Sequence, residues 1–160
     1  MLTLTLIVAL LTLVLLAGIF GVFFTYSNSV VPGLDTTDPE LAVAAMRKIN
    51  LAIYNPPFIA TFLGPVVTGA VTGFLLLGLD ETNSALLFFS GAVVYLVGGI
   101  MVTGAVNIPL NNALENSTST DWEKRWADFS PRWKTWNRVR GFLSMVALVL
   151  CGVGLYVWGG

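Results

Sequence analysis

Residues 2–24 read LTLTLIVALLTLVLLAGIFGVFF, a run without one charged side chain. A helix of about 20 apolar residues crosses a hydrocarbon core, so this stretch predicts a membrane span. Three further apolar runs follow, at about 57–79, 85–106 and 141–158. The expected fold is therefore all-α: an integral membrane four-helix bundle, one transmembrane domain over residues 1–160, with two structured loops. Residues 2–24 lack the positively charged start of a signal peptide and exceed its usual apolar length, so they read as a retained helix.

Composition agrees with that class. Hydrophobic residues are 56% and charged residues 11% of the chain, against about 25% charged in a soluble domain. A net charge of −1 without a long basic run gives no reason to expect nucleic acid as a partner. The chain has no histidine, which removes the commonest metal ligand, haem ligand and general base together. Its one cysteine, Cys151, lies in an apolar run and supports no disulfide framework. The acids are scattered over polar loops and none falls within a span. The expectation is a protein with no metal and no cofactor.

All eight basic residues fall in two segments: Arg47 and Lys48 between spans one and two, and Lys124, Arg125, Arg132, Lys134, Arg138 and Arg140 between spans three and four. In a four-span chain those segments share a side. The positive-inside rule predicts a multi-pass cell-membrane protein with both large loops cytoplasmic and both termini outside.

Within the first loop, Val31-Pro32-Gly33 reads as a turn. Asp38-Pro39-Glu40 then reads as a helix start, a capping carboxylate followed by proline in the first turn. That helix should run to about Tyr54, stopping before Pro56-Pro57, with Met46, Ile49 and Ile53 on its apolar side. In the second loop, Pro109 should break or kink the end of span three. Thr120-Asp121-Trp122-Glu123 fits a capping box for a short helix, and Ser130-Pro131 reads as another helix start. Asn116-Ser117-Thr118 matches a glycosylation acceptor but falls in the loop expected to be cytoplasmic. Gly69-Ala70-Val71-Thr72-Gly73 is a small-xxx-small pattern, read chiefly as packing within the bundle, with a homo-oligomer or a membrane complex left open.

Candidate site residues gather at the loop side. Trp133, Trp136, Asn137 and Arg140 are spaced i, i+3, i+4 and i+7, on one face of a helix entering span four. Polar groups at the mouth of a span are expensive and often functional; Trp and Arg also anchor helices at the headgroup level. Asn107 and Asn111 flank Pro109 opposite that face, either closing the helix end or binding a ligand beside Arg140. Asn50 and Asn55 can reach the same region from the loop helix. Tyr95 and Thr103 read as packing or backbone-bonding residues.

Asn107-Ile108-Pro109-Leu110-Asn111, followed by Trp133-x-x-Trp136-Asn137-x-x-Arg140, resembles the anthrone oxygenase-like family of small membrane proteins. The likeness extends to Pro32-Gly33 and to Met46-Arg47-x-Ile49-Asn50. It implies a four-helix membrane bundle and, in some pathways, oxidation of an anthrone to an anthraquinone by molecular oxygen without an evident cofactor. By that resemblance Trp133 and Trp136, with Asn50, would bind the ring system. Arg140 would hold an enolate oxygen, with Asn107, Asn111 and Asn137 donating hydrogen bonds. The base would be Asp128, Glu115 or solvent. The expected partners are a lipophilic small molecule and membrane lipid; the alternative is a non-catalytic accessory subunit or a lipid- or quinone-binding protein.

Overall fold

The computed structural model describes residues 1–159. It is all-helical, and four of its helices are long and apolar enough to cross a membrane. In chain order the helices are α1 (Leu2–Leu34), α2 (Pro39–Ala52), α3 (Pro56–Leu77), α4 (Thr82–Asn116) and α5 (Trp122–Gly159). Each long helix packs on two others, α1 on α3 and α5, and α4 on α3 and α5, giving an up-and-down four-helix bundle.

Two buried clusters are stacked along the bundle. The first fills the four-helix interior with Leu16, Ile19, Phe23, Leu76, Phe88, Tyr95, Ala147 and Cys151. The second lies on the loop side, where Val31, Val43, Met46, Leu114, Trp126, Phe129 and Trp133 pack α2 onto α5 and the ends of α1 and α4. Gly69 and Gly73 serve contacts within the chain: a Cβ on Gly69 would lie 3.3 Å from that of Ala92, and one on Gly73 would strike the Phe89 ring.

The helix starts follow the sequence. Asp38 caps α2 by accepting from the amides of Glu40 and Leu41 at 3.0 and 3.3 Å, and Asn55 caps α3 through the Phe58 amide at 3.0 Å. The expected breaks do not occur. Val31-Pro32-Gly33 is helical, not a turn, because a wide π turn over Tyr26–Val30 precedes Pro32 and accommodates its missing donor. In the same way α4 runs through Pro109 to Asn116 after π turns at Leu96–Met101 and Thr103–Asn107. Nor does Ser130-Pro131 start a helix; α5 is continuous over 38 residues with Pro131 inside it. Asp121, not Thr120, caps that helix, accepting from the Lys124 amide at 2.9 Å.

One carboxylate holds the loop side together. Asp35 accepts from Trp126 Nε1 at 3.0 Å, from Ser130 Oγ at 2.6 Å, and from Lys134 Nζ. These donors are four residues apart, a single stripe along α5. Burial alone would raise the Asp35 carboxyl, but the three donors outweigh it and hold it below the ordinary carboxylate value. A second tie joins α2 to α4, where Arg47 grips Glu115 with Nε and Nη2 at 2.8 and 2.7 Å. Arg125, from α5, donates to the carbonyls of Leu114 and Ser119 at 2.8 and 3.0 Å and so closes the end of α4.

Candidate functional site

A pocket opens at the seam between the two clusters, with Phe23 from one and Trp133 from the other in its wall. All five helices contribute: Val22, Phe23 and Tyr26 from α1, Asn50 from α2, Phe58 and Phe62 from α3, Thr103, Asn107 and Asn111 from α4, and Trp133, Asn137 and Arg140 from α5. Its volume is about 120 Å³, close to the roughly 150 Å³ that holds one benzene ring in a protein interior. Tyr54, Ile59 and Ile108 stand at its exposed rim.

Three lining residues, Tyr26, Thr103 and Asn107, sit on π turns. Such turns insert an extra residue and re-aim side chains, and they recur at functional sites. Here they turn polar groups inward from helices that are otherwise apolar.

Arg140 is the electrostatic centre. It is only 6% exposed and no carboxylate pairs with it. Its Nη1 donates to Thr103 Oγ1 at 3.0 Å and its Nη2 to Asn137 Oδ1 at 2.7 Å, while Nε has no partner. The guanidinium carbon lies 4.5 Å from the centroid of the Phe23 ring and 5.3 Å from that of Trp133. Ring faces and neutral oxygens soften the cost of a buried cation but do not neutralise it. An anionic oxygen brought into the pocket would.

The asparagines differ in what they have left to offer. Asn137 is fully engaged, since Nδ2 donates to the Phe23 carbonyl and to Ser27 Oγ, both at 2.7 Å. It ties α1 to Arg140. Asn111 gives its Oδ1 to Trp133 Nε1 at 2.9 Å and so orients that ring. Asn107 is 1% exposed, and neither its Oδ1 nor its Nδ2 has a partner. It closes no helix end. Leaving such an amide unmatched costs about 1–3 kcal/mol, a cost that a ligand could remove.

Six of the eight residues singled out from the sequence therefore meet in one pocket: Asn50, Asn107, Asn111, Trp133, Asn137 and Arg140. Trp136 does not. It is 40% exposed on the outside of α5, because at about 100° per residue it falls roughly 60° from Trp133 and 100° from Asn137. Asn55 is spent as the cap of α3. The acids proposed as bases are also elsewhere: Glu115 is held by Arg47, and Asp128 lines a separate pocket with Arg125 and Arg132. Tyr95 donates to the Phe62 carbonyl at 2.7 Å and Thr103 to that of Gly99 at 2.6 Å, as backbone-bonding residues do. Sequence reasoning passed over Tyr26 and the Phe23, Phe58 and Phe62 wall. The signal was faint: Tyr26 opens the polar run Tyr26-Ser27-Asn28-Ser29 at the end of an apolar span.

Among the described residues no group of three or more His, Cys, Asp and Glu side chains is gathered as a metal site would need. The profile of a family described as anthrone oxygenase matches residues 58–150, more than half of the chain. No curated protein and no solved structure matches it.

Proposed function

The chain belongs to the anthrone oxygenase family, and on that premise we propose that it oxidises a lipophilic aromatic compound with molecular oxygen in the pocket around Arg140. The substrate class is a flat ring system with an acidic carbon–hydrogen bond conjugated to a carbonyl. One oxygen atom becomes a new carbonyl and the other leaves as water.

The observation that carries this reading is a buried guanidinium without a counter-anion, beside an asparagine whose amide has no partner. Loss of a proton from such a substrate puts negative charge on its carbonyl oxygen. Fixed donors aimed at developing charge are worth most in a water-poor site. The aromatic walls, Phe23, Phe58, Phe62 and Trp133, suit a flat ring. A three-ring molecule would seat one ring and leave the others at the rim, where Ile59 and Ile108 offer apolar contact. We also take the pocket to face the cytoplasm and the substrate to arrive through the bilayer, since the basic residues cluster on that side.

A second reading has its own support. No carboxylate lines the pocket, which suits a quinone- or lipid-binding protein that performs no chemistry.

Oxygen uptake and anthraquinone formation from anthrone, measured on the detergent-purified protein, separate the two. Turnover should fall by at least about 100-fold in Arg140→Lys, since an ammonium cannot reproduce the guanidinium fork. Equal turnover in Arg140→Lys and Arg140→Ala as in the wild type would sink the oxygenase site. An aromatic that co-purifies without any turnover would favour the binding protein.

A further inference from the structure

The proposed oxidation needs a group that takes a proton from carbon, and no acid of the chain lines the pocket. Of the lining residues only Arg140, Tyr26 and Tyr54 carry a titratable group. Arg140 is a cation and cannot serve as base. Tyr54 is 66% exposed at the rim. Tyr26 stands inside, its ring 5.7 Å from that of Trp133, the same indole the Arg140 guanidinium faces. The Tyr26 hydroxyl forms no hydrogen bond among the described residues, whereas that of Tyr95 is occupied by the Phe62 carbonyl. Tyr26 also opens the π turn of α1, which sets it at the pocket wall.

We propose that Tyr26 is the residue that exchanges protons with the substrate, acting through its phenolate. That phenolate is the small fraction formed when the phenol gives its proton to water at the open rim, with the Arg140 guanidinium as counter-charge until the substrate enolate takes its place. The inference rests on the oxygenase reading and names the base that reading lacks. In the first step the carbon–hydrogen bond breaks, the proton passes to the Tyr26 oxygen, and the electron pair stays on the substrate as an enolate. Its oxygen faces Arg140, the one cation lining the pocket; α3 contributes only apolar side chains to the wall. Dioxygen takes up the electron pair and a carbon–oxygen bond forms. The resulting peroxide recovers the proton from Tyr26. The phenolate then removes the second hydrogen from the same carbon, the carbonyl forms, and the oxygen–oxygen bond breaks. The departing hydroxide takes the proton from Tyr26 and leaves as water, returning the phenolate.

Proton transfer can be read without oxidation. Anthrone deuterated at its methylene carbon is incubated anaerobically with the protein in detergent, and loss of deuterium to water is followed by mass spectrometry. The wild type should exchange above the buffer rate, and Tyr26→Phe should lose about 100-fold of the enhancement, the usual worth of a positioned acid–base group. The variant removes only an unpartnered hydroxyl and keeps the ring on Trp133, so its melting temperature should not move. Exchange in Tyr26→Phe within about 3-fold of the wild type would overturn the assignment, as would a loss confined to Tyr54→Phe. Wild-type exchange that Tyr26→Phe loses, with no oxygen uptake by the wild type, would uphold Tyr26 and overturn the oxygenase reading. Absence of both exchange and uptake would overturn the two together.

Discussion

Asn137 accepts a hydrogen bond from Arg140 at 2.7 Å while donating two of its own across to α1, to the Phe23 carbonyl and the Ser27 hydroxyl. A residue on one helix thus fixes the cation that follows it by a turn, and uses a second helix to do so. The site is held from behind. The ligand-facing side of the same pocket, at Asn107, is left unmatched.

These two asparagines should behave oppositely. Asn137→Ala strips partners from a carbonyl, a hydroxyl and a guanidinium, each buried, and should lower stability by about 1–3 kcal/mol or more. Asn107→Leu removes an amide that has no partner and should leave the melting temperature unchanged or raised, while ligand binding and turnover fall. Thermal unfolding in detergent beside oxygen uptake on the same preparations checks both. A marked loss of stability in Asn107→Leu would show that the amide is satisfied in the folded protein.

Acid should loosen the loop side at Asp35. Its carboxyl lies below the ordinary value when folded, so the stability it contributes is present above the unfolded value near 4 and is lost as pH falls through the folded one. Between pH 7 and 5 tryptophan fluorescence should stay flat, with a change below about pH 4 as Trp126 loses its acceptor. Asp35→Asn should abolish that transition. A transition near pH 6 instead would point to another group.

Close approach makes Gly91 an unforgiving glycine in the bundle. A Cβ there would lie 2.5 Å from Cys151 Sγ and 3.1 Å from the Ala147 carbonyl oxygen. Gly91→Ala should cost about 1–3 kcal/mol through overpacking, and Gly91→Val more. Gly104, with nothing within 4 Å of its Cβ position, should accept alanine with no loss, or with a gain from helix propensity. Melting temperatures of the two alanine variants, compared directly, decide it.

How far the sequence carried this outcome depends on which physical rule was in play. Apolar length alone identified four spans, because the bilayer demands it of each helix separately. Spacing brought Trp133, Asn137 and Arg140 to one face, and Asn107 with Asn111 to the face opposite. It failed at Trp136, which an i+3 step leaves at the edge of the stripe. Proline marked no helix end or start at three places: Pro32 and Pro109 follow wide turns that absorb the missing donor, and Pro131 lies within a helix that continues past it. The aromatic wall was illegible, since Phe23, Phe58 and Phe62 sit among many apolar residues and composition cannot say which face lipid. Tyr26 was hidden by a backbone irregularity that no side-chain period announces.

The wide turns of α1 and α4 carry a consequence for how such a pocket arises. Each holds one residue more than an ordinary turn, so everything beyond it is rotated by about 100° relative to an uninterrupted helix. Deleting a single residue upstream of Asn107 would leave α4 whole and its hydropathy nearly unchanged, yet would swing Asn107 and Asn111 away from Arg140. In this architecture the pocket is written in the phase of the helices as much as in their side chains. Gain or loss of one codon, ordinarily damage to a membrane span, becomes a route by which a bundle acquires a polar interior or gives it up.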